Sequence, residues 1–295
     1  MDIHILAEQF CDYSLYIKGY SKETIRSYRT AIKFFCKSLN ITNVEEINEQ
    51  NTRQFFINGR IERNWQPRTF LTYHKSLIVF FRFCVTKDYL PRNYIEEIET
   101  PKIEKSLPKK IAKEDALKLL DVALNYPYNF DFLRYRNHAI FATFLYAGLR
   151  KSELFKLKLS DVDIENLTIF IRSGKGGKDR IIPISHTLAL SLRRYLKERK
   201  KLKKTCPEFF VSSNRNKGYT DGGLKRLVRQ LKDATKIDFT IHRLRHTFAT
   251  LMIEGGCDIY SLSKMMGHSD ITTTTIYLST TAEHLRGQMF KHPLN

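Results

Sequence analysis

The stretch "ETPKIEKSLPKKIAKED", Glu99 to Asp115, decides how the chain is divided. It holds two prolines, alternating charges and no apolar periodicity until Ala116. That is the composition of a linker, not of a packed element. A boundary at about residue 106 splits the 295 residues into an N-terminal domain, 1–105, and a C-terminal domain, 106–295. Two domains joined this way suit a partner that is roughly cylindrical.

Upstream of the linker the spacing is helical. "SKETIRSYRTAIKFFCKSL" opens on an N-cap serine, Ser21, and sets Ile25, Tyr28, Ile32, Phe35 and Cys36 on one face. "QPRTFLTYHKSLIVFFRFCV" places Pro67 at a first helical position, with a stripe through Leu71, Leu77, Phe80, Phe81 and Cys84. With further helices over 3–17 and 47–58, the first domain reads as a bundle of about four helices. Downstream the reading is mixed. Helices are expected over 113–124, 132–147, 150–157, 187–202 and 222–234, with strands at Leu167–Ile171 and Arg180–Ser185. "RSGKGGKD" between those strands makes a hairpin turn, and Pro183 confines its strand to an edge. The fold class is therefore mainly α, with a small β-sheet in the C-terminal domain.

Composition narrows the function classes. Hydrophobic residues at 42% and charged residues at 27% are globular proportions. The longest apolar run, Ala139 to Leu149, is too short to span a bilayer, and "MDIHILAEQF" lacks the basic flank of a signal peptide. A cytoplasmic protein with no membrane partner is expected. Cys11, Cys36, Cys84, Cys206 and Cys257 are odd in number and scattered, so neither a disulfide framework nor a zinc site follows. The net charge of +19 is unevenly placed, with 16 basic and 13 acidic residues before 106 and 34 and 18 from there on. Such a surplus points first to nucleic acid, although a run such as Arg193 to Lys204 also reads as a solvated helix face.

Four segments of the second domain offer groups suited to phosphate. "YAGLRKSEL" puts Arg150 at a helix start after a glycine, and the hairpin turn carries Lys175. "IHRLRHTFAT" sets His242 and Arg245 three apart on one helix face, and "MMGHSDITTTTIY" supplies His268 and then Tyr277. Each has a plain structural reading. Arg150 pairs with Glu153, Lys175 is a solvated charge, the His242–His246 segment is a basic helix face, and Tyr277 is an aromatic anchor after a threonine run of poor helix formers. His242 and His246 also have metal-ligand spacing, but no glutamate between them and no third ligand nearby supports a metal.

Taken together and in order, "GLRKSEL", "GKGGKDR", "HRLRHTFAT" and "GHSDITTTTIY" resemble the tyrosine recombinases, the phage integrase family. The resemblance covers essentially the whole chain and is greatest to the simple Xer-type members, with no room for an arm-binding domain. It implies a SAM-like core-binding domain at the N-terminus and a catalytic domain of the tyrosine recombinase type from about residue 107. Arg150 and Arg245 match the phosphate-clamping arginines, Lys175 the hairpin lysine (with Lys178 a rival in the same turn), His242 and His268 the active-site histidines, and Tyr277 the nucleophile. "MMG" before His268 stands where the family more often has leucines, and the stretch after Tyr277 lacks a histidine common there.

The implied activity is site-specific recombination of double-stranded DNA through a 3′-phosphotyrosine. It would need no metal, cofactor or ATP, and would proceed in a tetramer on DNA or with a second recombinase. Two guanidiniums suit the five-coordinate phosphorus because their planar forks meet the non-bridging oxygens bidentately. A helical pattern through Ala282, Leu285 and Met289 is expected to dock on a neighbouring subunit or on its own domain. A type IB topoisomerase and a non-catalytic DNA-binding protein are the alternatives.

Overall fold

The computed structural model describes residues 1–103, 110–172, 179–268 and 270–277. Lys175, Lys178 and the tail pattern through Ala282, Leu285 and Met289 lie outside them. The chain packs as two units, Met1–Lys105 and Ser106–Asn295.

The first unit is built from α1 (Ile3–Asp12), α2 (Lys22–Leu39), α3 (Glu49–Ile61) and α4 (Pro67–Thr86). Its local signals are the ones the sequence offers. Ser21 caps α2 by accepting from the Thr24 amide, and Pro67 opens α4, where its missing N–H costs nothing. α1 runs on into a single π-helical turn, Tyr13–Ile17, that spacing alone does not reveal. The core is aromatic: Phe10, Phe35, Phe55, Phe80 and Phe81 are each at most 1% exposed, and Trp65 stacks on Tyr73 with centroids 4.5 Å apart.

The second unit is organised around α6 (Asp131–Ala147), which is buried on all sides from Ala139 to Leu145, the one polar residue there, Thr143, donating its hydroxyl to Ala139 O at 2.7 Å. α5 (Lys113–Asn125), α8 (His186–Lys201) and α10 (Ile241–Glu254) pack against it. A three-stranded antiparallel sheet, β1 (Val162–Asp163), β2 (Thr168–Ile171) and β3 (Arg180–Pro183), runs in the order β1-β2-β3. Ile169 pairs with Ile182 on the buried face, and Pro183 lies on edge strand β3. α7 (Lys151–Lys156), α9 (Asp221–Thr235), α11 (Ile259–Met266) and α12 (Thr272–Thr275) complete the described elements.

The threonine run, unpromising for a helix by propensity, forms the single turn α12. Just ahead of it Asp270 accepts from the Thr272 amide at 2.9 Å, and buried Thr274 bonds His268. Tertiary partners override local preference here.

Candidate active site

The site is built at the point where several helix ends meet. α6 stops at Gly148, whose φ of +60° is left-handed, and Phe248 of α10 occupies the space a Cβ there would need. Arg150 then caps α7. α11 stops at Gly267, φ +63°, in a Schellman-like turn: the His268 amide donates to Ser263 O at 3.1 Å and the Gly267 amide to Lys264 O at 3.0 Å. Those bonds leave the carbonyls of Met265, Met266 and Gly267 facing outward from the negative end of the helix.

Each of those carbonyls holds an arginine. Arg180 Nε donates to Met265 O at 2.8 Å, Arg245 Nη2 to Met266 O at 2.6 Å, and Arg150 Nη2 to Gly267 O at 2.8 Å. Arg245 Nη1 also donates to Gly148 O, which ties the ends of α6 and α11 to α10. One carboxylate sits among the three cations. Glu153, 7% exposed, accepts from Arg150 Nη1 at 2.8 Å and from Arg180 Nη1 and Nη2 at 2.9 Å each. Burial pushes its pKa up, but the hydrogen bonds and charge of Arg180, helped by Arg150, win and hold it at about 2.

The histidines answer to the same field. His242 and His246 lie one turn apart on α10, with rings 4.3 Å apart, edge to face. His268 is fixed at both ring nitrogens, Nδ1 to Thr274 Oγ1 at 2.7 Å and Nε2 to Arg245 Nη2 at 3.3 Å. Desolvation, followed by Arg245 and Arg150, pushes His268 down to about 4. Desolvation, followed by His242 and Arg245, does the same to His246, and His242 is lowered by desolvation, Arg245 and Arg150. All three rings are therefore neutral near pH 7. Arg245 itself falls to about 10 through burial and the Arg150 charge.

Tyr277 is 2% exposed, packed with Phe248, Ala249, Ile253, Leu262 and Met266, and its hydroxyl lies 2.6 Å from His246 Nδ1. Burial raises its pKa to about 12 against the lowering influence of Arg245, so the phenol is neutral here.

Arg150, His242, Arg245 and His268 line one open cavity of about 760 Å³, together with Lys151, Lys225, Lys232 and Thr273. Tyr277 stands behind this wall and is not part of its lining. Arg150 uses two of its five side-chain donors on Glu153 and Gly267, so the guanidinium retains donors for an anion. Among the described residues no group of three His, Cys, Asp or Glu is arranged to hold a metal, and no helix is long and apolar enough to cross a membrane.

Three participants escape a reading of the sequence by segments. Glu153 reads there only as a pairing partner for Arg150, Arg180 only as a strand residue, and His246 only as part of a basic helix face or half of a metal-like spacing. The one available signal was the i, i+3 and i, i+4 placement of His242, Arg245 and His246 on a single face.

Comparison with known proteins adds a second line of observation. The phage integrase family profile matches residues 109–284, and that of the phage integrase N-terminal SAM-like domain matches residues 6–90. The chain is 34% identical to the tyrosine recombinase XerA of Pyrococcus horikoshii over 98% of this chain and 94% of that protein. It is 32% identical to the tyrosine recombinase XerD of Listeria innocua over 95% of this chain and 96% of that protein. Its fold is similar to that of the XerH site-specific recombinase in a post-cleavage complex with a palindromic difH substrate. The TM-score is 0.73, the identity 21%, and the coverage 96% of this chain and 83% of that one.

Proposed function

Because the chain belongs to the phage integrase family, whose members are tyrosine recombinases, we propose that it cleaves and rejoins double-stranded DNA at a specific site through a 3′-phosphotyrosine on Tyr277. The observation that supports this most is the convergence of Arg150, Arg245, His242 and His268 on one cavity, with the Tyr277 hydroxyl bonded to His246, whose ring packs on that of His242.

The chemistry follows from the charges. A phosphodiester in the cavity meets two guanidiniums already fixed by helix-end carbonyls, so their donors need no reorganisation as negative charge grows on the non-bridging oxygens. Tyr277 attacks phosphorus, the 5′-oxygen leaves, and the new phosphotyrosine conserves the energy of the bond broken. A 5′-hydroxyl from another strand reverses the step without ATP. Lys175, which lies outside the described residues, is assigned the proton for the departing oxygen by its match to the family's hairpin lysine. His242 and His268 orient the phosphate. The arginines supply the positive charge that a metal would otherwise bring.

The N-terminal unit is assigned to DNA binding and the C-terminal unit to catalysis, in the cytoplasm, in a tetramer on DNA or paired with a second recombinase. The test is a covalent trap. The protein is incubated with fragmented host DNA in EDTA and denatured with SDS, and the attached DNA is sequenced, with Tyr277→Phe as control. Adducts that require Tyr277 and collect at one inverted-repeat site support the reading. Adducts scattered over many sequences favour a topoisomerase, and adducts that persist in the Phe variant remove Tyr277 as the nucleophile.

A further inference from the structure

We propose that His246 is a further catalytic residue of the cleavage step: its Nδ1 takes the proton of the Tyr277 hydroxyl as the phenolic oxygen attacks phosphorus. The inference rests on the reading of Tyr277 as nucleophile.

The geometry is direct. Nδ1 and Oη are 2.6 Å apart and the ring centroids 5.6 Å apart, within the reach a general base requires. Tyr277 is 2% exposed, so bulk water is a poor acceptor and a protein group must serve. Among the described residues the other candidates are engaged elsewhere. His268 has both ring nitrogens occupied, by Thr274 and Arg245, while His242 is solvent-exposed at the cavity and packs edge to face with the His246 ring. Arg245 is a cation with no lone pair to offer.

His246 also stands where substrate would switch it on. Among the described residues the groups facing it are His242 and Arg245 from its own helix, Tyr277 from the segment after α12, and His268 from the turn after α11. In the ligand-free protein, burial, His242 and Arg245 hold its basicity down. A phosphodiester anion beside Arg245 offsets the cationic part of that suppression and so strengthens the base next to the phenol. The step balances. The Tyr277 O–H bond breaks toward Nδ1, the Oη–P bond forms, and the P–O5′ bond breaks, with the departing oxygen protonated separately. Religation runs the transfers backwards, and His246 returns its proton to Tyr277.

The experiment uses the full chain and a nicked suicide duplex made from the sequence that the covalent trap recovers. Single-turnover adduct rates are measured for wild type, His246→Asn and His246→Ala, on the normal duplex and on one with a 5′-bridging phosphorothiolate. Asparagine can accept the phenol's hydrogen bond but cannot take its proton. We expect His246→Asn to be slower by about 10²-fold on both duplexes, because a thiolate that leaves unprotonated does not help a poorly activated nucleophile. The wild-type rate should fall as pH drops through the ionisation of His246, and the variant should lack that limb. Gel shift and thermal melting establish that the variants fold, with His246→Gln replacing any that does not. An Asn variant within about threefold of wild type, with only Ala slow, would reduce His246 to positioning. Rescue by the phosphorothiolate would move its role to the leaving group. Absence of adducts in wild type would instead remove the functional reading itself, and this inference with it.

Discussion

Glu153→Gln separates the electrostatics of the site from its shape. The substitution keeps the volume and removes the single carboxylate set between Arg150 and Arg180. In the folded chain Glu153 is held at about 2 against an ordinary value of 4.5, and it is 7% exposed. At about 1.4 kcal/mol per unit, that difference corresponds to about 3 kcal/mol of stability near neutral pH. Because the folded value is depressed, the contribution is complete above pH 4.5 and is lost as pH falls toward about 2. At pH 3 roughly 1 kcal/mol of it remains. The variant should therefore be about 3 kcal/mol less stable than wild type near pH 7, with a gap about 2 kcal/mol smaller at pH 3.

Urea unfolding followed by far-UV circular dichroism at the two pH values measures this. Trp65, the one tryptophan, lies in the N-terminal unit, so its fluorescence transition serves as an internal reference that the substitution should not move. An equal loss at both pH values would show that the introduced amide fails by misfit and not by charge. No loss at pH 7 would show that the arginines need no counter-ion, and would refute the reasoning.

Gly148→Ala combines a left-handed backbone with a Cβ in the space of Phe248, and should cost about 2–4 kcal/mol by denaturant titration, part of it recovered by Phe248→Leu. Arg245→Lys should lower adduct formation at least about 10²-fold, because an ammonium cannot span Gly148 O, Met266 O and a phosphate at once. Affinity for DNA in the same variant, measured by anisotropy, should change far less. Duplex binding by wild type should weaken by about 10³-fold or more between 50 and 200 mM salt, and a nearly flat response would argue against a phosphate-dominated interface.

The helices and their ends were the most legible part of the fold, because the 3.6-residue spacing through Ile25, Tyr28, Ile32 and Phe35, the cap at Ser21 and Pro67 at a first helical position are all local. Pro183 was equally legible, since a missing N–H admits only an edge. The docking of three arginines on the end of α11 was not. Its acceptors are backbone carbonyls, which carry no residue identity, and the donors come from sites 21, 85 and 117 residues away. His246 was hidden for a related reason. Its nearest pattern was His242, one turn back, while the partner that matters is Tyr277, 31 residues on. Glu153 was visible as a neighbour of Arg150, but not as the carboxylate that also receives both ends of Arg180.

The choice of helix-end carbonyls as the main arginine acceptors has a consequence for the chemistry. Three guanidiniums on three carboxylates would be neutral and would give a diester little to interact with. Here they share one carboxylate and the partial negative charge of a helix terminus, of order half a unit. The cations are fixed in place, yet the site stays electropositive. The same surplus charge helps hold His246 and His268 neutral in the ligand-free protein, whereas burial leaves Tyr277 a neutral phenol. On the proposed reading an arriving phosphodiester would offset the cations and make the histidines better bases, so that binding of the anion and activation of proton transfer would be coupled electrostatically. Substrate charge would then relieve the cationic share of that suppression, burial being the larger share, and the buried Tyr277 phenol would stay protonated until the phosphate is in place.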